Sequence, residues 1–176
     1  MMDQERARFW FYYSPKVGNL YWRKTRDANS KAGSKVGGPV GFGYQAFRMD
    51  GETYLVHRLI WLYMTGEWPP EDKMIDHKDG QPANNSWDNL RLATPAQNAQ
   101  NRERQENNTS GFKGVSRNQS NGKWQAKITA NGETHYLGEF RFPELAWSAY
   151  CEAAKIHHGE FANFGSLLDR NERIRF

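Results

Sequence analysis

Residues 74–101 read MIDHKDGQPANNSWDNLRLATPAQNAQN, and this stretch decides the fold of the first part of the chain. Met74 to His77 predict a short strand, and Asn89 to Ala93 alternate like a second one. Thr94 and Pro95 are typical of a helix start, as an N-cap followed by a first-turn proline. The stretch therefore predicts strand, loop, strand and helix, an order that lets polar side chains from each element converge.

Four polar side chains of this stretch have the chemistry that phosphodiester hydrolysis needs: Asp76, His77, Asn89 and Asn98. Hydrolysis needs a positioned water, a base that titrates near neutrality, and a cation at the phosphate. Histidine has an ordinary pKa in that range. One carboxylate and one amide oxygen suit Mg²⁺, whereas zinc would want more His or Cys. Taken singly, each of these residue types more often forms a turn or lies on the surface. The catalytic hypothesis therefore depends on their ordered combination.

The stretch resembles the HNH endonuclease motif, also called the ββα-metal or His-Me finger site. It is most similar to the variant in phage and intron-borne homing endonucleases, where the last histidine is replaced by asparagine. VHRLIW at 56–61 and the pattern DH…NN…NLR…T…QN carry the resemblance. It implies that His77 is the general base, that Asn89 orients the catalytic site, and that Asp76 and Asn98 bind one divalent cation, Mg²⁺ or else Mn²⁺. It also implies products with 5′-phosphate and 3′-hydroxyl ends.

The chain before this stretch predicts two hairpins and a buried helix. FWFYY and LYWR flank the turn SPKVGN, and Tyr44 to Met49 and Thr53 to Val56 flank Asp50-Gly51. His57 to Thr65 has apolar residues at helical spacing and ends at Gly66. His57 fits structural support first and a phosphate contact second. The Gly- and Lys-rich segment Lys31 to Gly43 predicts a loop, and the basic segment Arg23 to Lys35 is either a DNA contact or a solvated loop.

The chain after residue 107 predicts a three-stranded sheet and one helix. The strands are Phe112 to Ser116, Lys123 to Ala130 and Thr134 to Phe140, joined by Asn-Gly turns at 121–122 and 131–132. A helix from Pro143 to about His158 follows, with a small-residue face that can lie close to the sheet. The core of this part is assigned to Leu137, Phe140, Trp147 and Phe164.

This second part resembles the plant Apetala/ethylene-response-factor (ERF) DNA-binding domain. GFKGVSR, GKWQAKI, YLGEF, the helix from PELA to AYCEAAKIHHG, and the closing ANF carry the resemblance. It implies that one sheet face binds the major groove of duplex DNA, through residues that map to Lys113, Arg117, Lys123, Trp124, Lys127 and Tyr136. Trp124 is equally well explained by core packing. The plant pattern has Arg where this chain has Ser116, so a base-reading arginine is missing at that position.

Composition and charge agree with a nucleic-acid partner and exclude several other classes. The net charge is +4, with nine Lys/Arg against four Asp/Glu in residues 1–50 and four against seven in 51–100. A basic flank beside an acidic centre suits a polyanion around a cation site. A single cysteine excludes an internal disulfide, and no apolar run is long enough to span a bilayer. We expect a cytoplasmic protein, in a bacterial host if a phage encodes it.

The fold class we predict is α+β in two modules. Residues 1–106 form an HNH nuclease domain, with the catalytic motif at about 73–101, and residues 107–176 form the ERF-like domain. We expect a monomer that nicks duplex DNA, because each chain carries one active site. The alternatives are a DNA-binding regulator with an inactive nuclease half and, as a third reading, cleavage of structured RNA.

Overall fold

The computed structural model describes residues 2–102 and 108–165. The chain divides into two compact units, Met1–Pro95 and Ala96–Phe176. The linker predicted near residue 107 falls on residues 103–107, which lie outside the described part. In residues 2–102 and 108–165, no helix combines the length and apolar character that a membrane crossing requires.

The first unit contains two helices and three small antiparallel sheets. The helices are α1 (Gln4–Trp10) and α2 (Val56–Thr65). The strands are β1 (Phe11–Ser14), β2 (Asn19–Trp22), β3 (Gly38–Pro39), β4 (Gln45–Met49), β5 (Glu52–Leu55), β6 (Met74–His77) and β7 (Leu90–Ala93). β1 pairs with β2, β4 pairs with both β3 and β5, and β6 pairs with β7.

Most of these elements lie where the sequence predicts them, with two exceptions. The aromatic run FWFYY was predicted as one strand, but Phe9 and Trp10 belong to α1. The Asp3 side chain caps that helix by accepting from the Arg6 N–H, which is an ordinary N-cap. A short strand, β3, also lies inside the segment predicted as a loop.

α2 supplies the centre of the first unit's core. It ends at Gly66, whose φ of 91° is left-handed and whose N–H donates to the Leu62 carbonyl. The core joins α2 to all three sheets, and its fully buried side chains include Phe11, Leu20, Val36, Met49, Leu59 and Ile60. The hairpin β6–β7 adds Ile75 and Leu90 to this core.

The second unit contains α3 (Pro95–Asn101) from Ala96 onward, a three-stranded antiparallel sheet and a long helix. The sheet has the order β10-β9-β8, with β8 at Val115–Arg117, β9 at Trp124–Ala130 and β10 at Glu133–Phe140. Asn131 and Gly132 both have positive φ, as the tight turn between β9 and β10 requires. α4 (Pro143–His158) packs on the sheet through Ala146, Ala153 and Ala154, which are buried.

Candidate functional site

The hairpin β6–β7 brings an acid and a guanidinium together beneath the surface of the first unit. Asp76 lies opposite Arg91 in the antiparallel register, so the two side chains share a face. The Arg91 Nε donates to Asp76 Oδ2 at 2.8 Å, and Asp76 is only 4% exposed. A buried carboxylate is costly unless it is paired, and this guanidinium provides a counter-charge.

His77 follows Asp76 and is held on several sides. Its Nε2 lies 3.0 Å from Asn85 Oδ1, and both side chains are buried. The His57 ring packs edge-on against the His77 ring at a centroid distance of 5.4 Å, and the Tyr44 ring lies at 5.9 Å. Neighbours on these sides restrict how the imidazole can rotate.

His57 is buried beside His77, with only 5% of its surface exposed. Burial, together with the nearby His77 and Arg58 charges, lowers the pKa of His57 to about 3. His57 is therefore neutral near pH 7 and acts as packing against His77, as the structural-support interpretation requires. Tyr44 packs against it at a centroid distance of 5.1 Å.

Asn89 organises the loop between β6 and β7. Its Oδ1 accepts from the Asp79 N–H, and its Nδ2 donates to Asp79 Oδ1 and to the Asn84 carbonyl. Burial would raise the pKa of Asp79, but hydrogen bonds from the Gln81 N–H and from the Asn84 and Asn89 amides outweigh it and lower that pKa. Asn89 thus fixes the loop that carries Asn85.

Asn98 lies half-buried in α3, which belongs to the second unit. The carbonyl end of α3 is satisfied within that unit. The Lys113 ammonium donates to the Gln100 and Arg102 carbonyls at 2.7 and 2.6 Å, and Asn163 donates to the Asn101 carbonyl. The sequence predicted Lys113 as a DNA contact and did not predict this helix-capping role.

The six predicted DNA-binding residues do not share one face of the sheet. Along β9, even-numbered residues face α4 and odd-numbered residues face outward, as the burial pattern shows. Lys127 pairs with Tyr136, and both lie exposed on the open face. Trp124 lies on the α4 side, half-buried against the core.

The register places Arg117 with Trp124 and not with Lys127. Arg117 lies opposite Trp124 in the ladder, and its guanidinium is 5.8 Å from the centroid of that ring. Lys123 is exposed at the turn that precedes β9. The basic side chains therefore divide between the open face and the turn end of the sheet.

The open face also carries an acidic side chain, Glu139, which hydrogen bonds hold in place. The Glu139 carboxylate accepts hydrogen bonds from the Gln125, Asn118 and Asn121 amides, which lower its pKa. These bonds connect β10 to β9 and to the turn before β9. Glu139 is therefore a negative charge beside Lys127 and Tyr136 on the same face.

Two comparisons establish the family of this chain. The HNH endonuclease family model matches residues 54–100. Protein 3.8 of Escherichia phage T7 is 36% identical over 108 residues, which cover 61% of this chain and 88% of that protein. The chain belongs to the HNH endonuclease family.

Two further proteins resemble the HNH chain over part of its length. An uncharacterized HNH endonuclease of Acanthamoeba polyphaga mimivirus is 36% identical over 107 residues, and the match spans 61% of this chain and about half (54%) of that protein. A solved structure titled "DNA binding and cleavage by the HNH homing endonuclease I-HmuI" is 28% identical, with a TM-score of 0.37. The match covers 52% of this chain and 50% of the chain in that structure.

The matched HNH segment includes all four predicted residues: Asp76, His77, Asn89 and Asn98. Among the residues that contact them, no separate role was predicted from the sequence for Asn85, which lies on His77, or for Arg91, which pairs with Asp76. The pairing of Arg91 follows from the register of two strands that the sequence did predict. Asn85 follows from loop geometry, for which the sequence offers no periodic signal.

The donors of this HNH site suit a hard cation that retains water. Among residues 2–102 and 108–165, no three His, Cys, Asp or Glu side chains cluster as a metal site. Asp76 offers carboxylate oxygen, the ligand type that Mg²⁺ prefers, and Mg²⁺ binds with few protein ligands and several waters. The donor type that Asp76 offers therefore fits Mg²⁺ or Mn²⁺.

Proposed function

We propose that this protein is a metal-dependent endonuclease that nicks duplex DNA, with His77 as the general base. The observation that carries the proposal is the buried pair of Asp76 and His77 in the hairpin of an HNH family member. Membership supports phosphodiester hydrolysis, and the held imidazole supplies a positioned proton acceptor.

In this proposal each side chain of the site has a distinct chemical role. His77 accepts a proton from water, whose oxygen forms a bond to phosphorus while the bond from phosphorus to the 3′ oxygen breaks. The leaving oxygen takes up a proton from solvent water and ends as a 3′-hydroxyl, and the phosphate stays on the 5′ end. Asp76 and Asn98 would hold one divalent cation, Mg²⁺ or Mn²⁺, which supplies positive charge for the phosphate and the leaving oxygen. Arg91 fixes the Asp76 carboxylate, and Asn89 fixes the loop.

The second unit would hold the enzyme on duplex DNA in the manner of an ERF-like module. Lys127 and Tyr136 present one basic and one aromatic side chain on an exposed sheet face. Arg117, Lys123 and Trp124 would extend the contact at the turn end of the sheet. Contacts of this kind neutralise phosphates and so make binding depend on salt.

A plasmid assay tests the catalytic proposal. Supercoiled DNA is incubated with wild type and with Asp76→Asn and His77→Ala, in Mg²⁺ or EDTA. The matched controls are Asp88→Asn, an exposed carboxylate of the same segment, and His157→Ala, an exposed histidine of α4. We expect open circles only with metal, only from wild type and the controls, and nicks that DNA ligase seals.

The same assay separates the alternatives. Binding without cleavage by wild type would favour a DNA-binding regulator with an inactive nuclease domain. Cleavage of structured RNA but not duplex DNA would change the substrate. Concerted double-strand breaks by dilute monomeric protein would contradict nicking by a monomer.

A further inference from the structure

Asn85 is the most buried polar residue that contacts His77. It is 1% exposed, and its Oδ1 lies 3.0 Å from His77 Nε2, while His77 itself is 4% exposed. A side-chain amide oxygen accepts hydrogen bonds and cannot donate one. An imidazole nitrogen that faces such an oxygen must carry the proton, because two acceptors repel each other.

The backbone of Asn85 is held by the first hairpin of the chain. The Tyr13 hydroxyl donates to the Asn85 carbonyl at 2.7 Å in a buried contact, and burial raises the pKa of Tyr13, so the hydroxyl stays a donor. Gly18 packs so closely that a Cβ there would overlap the backbone of Asn85 and Ser86. Tyr13 in β1 and Gly18 in the turn before β2 thus fix the backbone of the residue whose amide contacts His77.

The hydrogen bonds of Asn85 do not look like those of a purely structural residue. Its Nδ2 is buried and has no hydrogen-bond partner among the described residues. A buried unsatisfied donor costs about 1–3 kcal/mol. An apolar side chain of similar volume would avoid that cost, so stability alone does not explain an amide here. The contact between Asn85 Oδ1 and His77 Nε2 explains it.

We propose that Asn85 is the positioning residue of His77 and that it selects the imidazole tautomer. Asn85 Oδ1 accepts from Nε2–H, so in the neutral ring Nδ1 is the nitrogen without a proton, and under the proposed function it is the one that accepts the proton from water. The rings of His57 and Tyr44 restrict the other sides of the imidazole. This inference rests on the proposed function for the role of Nδ1, but the tautomer itself does not depend on cleavage.

Three variants test the proposal in the full chain. Asn85→Leu removes the acceptor at similar volume, Asn85→Asp keeps an acceptor, and Gln81→Leu makes the same amide-to-Leu change at an exposed position of the same loop. We expect Asn85→Leu to lower kcat roughly 100-fold or more, the range for general-base catalysis, with KM for duplex DNA unchanged. Asn85→Asp should recover most of kcat, and Gln81→Leu should stay within about 2-fold of wild type.

A spectroscopic readout separates this inference from the catalytic proposal. In ¹⁵N-histidine-labelled wild type, the neutral His77 ring should appear as the Nε2–H tautomer, assigned by its loss in His77→Gln. In Asn85→Leu that preference should weaken. A dominant Nδ1–H tautomer in wild type would overturn the inference even if the enzyme cuts DNA. If the Nε2–H tautomer is observed in a protein that does not cut DNA, the inference about Asn85 is supported and the catalytic role of His77 is contradicted. Should Asn85→Leu fail to fold, the wild-type spectrum still decides.

Discussion

Asp76, His77 and Asn85 lie in the first unit with at most 4% of their surface exposed, whereas Tyr136 in the second unit is 57% exposed beside an exposed Lys127. Each residue of the first set contacts a defined partner within its own unit. The side chains of the second set, Lys127 and Tyr136, face solvent on a sheet whose opposite side packs on α4. Burial preorganises groups for chemistry, while exposure suits docking on a polyanion. A substitution in the first unit should therefore cost stability, and one on the open face should change binding.

The largest effect should come from Arg91→Met, which removes the guanidinium beside the buried Asp76 carboxylate. Breaking a buried pair by deleting one partner costs about 3–5 kcal/mol. We expect the opening free energy of α2 amides, measured by hydrogen exchange, to fall by that amount. The matched control is Arg48→Met, whose exposed guanidinium donates to the Gly51 carbonyl and should cost about 0.5 kcal/mol or less. Equal effects of the two variants would contradict the contrast between buried and exposed pairs.

The second unit has its own intolerant position at Gly114. Its φ is 73°, and a Cβ there would overlap the Tyr150 ring beneath the sheet. Gly114→Ala should destabilise α4 amides by about 3 kcal/mol, from overpacking and left-handed strain together. Gly132→Ala, with φ of 82° and open space around it, should cost only about 1 kcal/mol. An unaffected α4 in Gly114→Ala would mean that the apolar side of this sheet is loosely packed.

The two units should also differ in how stability depends on pH. The pKa of His57 is about 3 in the folded protein and about 6.5 when unfolded, so only the unfolded chain binds a proton between these values. Stability is then full above about pH 6.5 and falls as pH drops, by about 2 kcal/mol at about pH 5. The pKa of His158 is also lowered, because burial outweighs the hydrogen bond that its ring makes with the Thr129 carbonyl.

Replacement of each histidine by phenylalanine measures the two contributions separately. His57→Phe should flatten the pH dependence of α2 amide protection, and His158→Phe should flatten that of α4 by less. If the α2 profile kept its full slope without His57, other groups would account for it.

The smallest effect should come from the open face of the sheet. Lys127→Ala should reduce the slope of log affinity against log salt for duplex DNA by about 0.9, the loss of one phosphate contact, without changing α4 protection. Arg117→Ala, at the turn end of the sheet, is the matched comparison. If only Arg117→Ala reduced the slope, the result would indicate that DNA binds at the turn end of the sheet and not on its open face.

Sequence patterns predicted the elements of this chain better than their tertiary contacts. Strands and helices with clear periodicity or Asn-Gly turns, such as β9, β10 and α4, lie within a residue or so of their expected bounds. α1 was missed because FWFYY has strong strand propensity, whereas capping by Asp3 and burial of Ala7 favour a helix up to Trp10.

The candidate site shows the same limit. The ordered motif places Asp76, His77 and Asn89, because strand–loop–strand order is local. Asn85 was missed because its role depends on contacts with Tyr13 and Gly18, far away in the sequence. The expectation that alternate strand residues share a face is sound, but applying it to Trp124 and Lys127 together was wrong, since they are three residues apart and face opposite sides.

The shared core of the first unit limits how this nuclease can be transplanted into other proteins. The family match begins at residue 54, yet Phe11, Leu20 and Val36, which pack in the core with Leu59 and Ile60, all precede it. A fragment cut at the matched residues would expose this apolar surface and lose the Tyr13 hydroxyl. A chimera that borrows the cleavage module should therefore take the chain from Met2 onward, because the smallest recognisable motif is not the smallest folding unit.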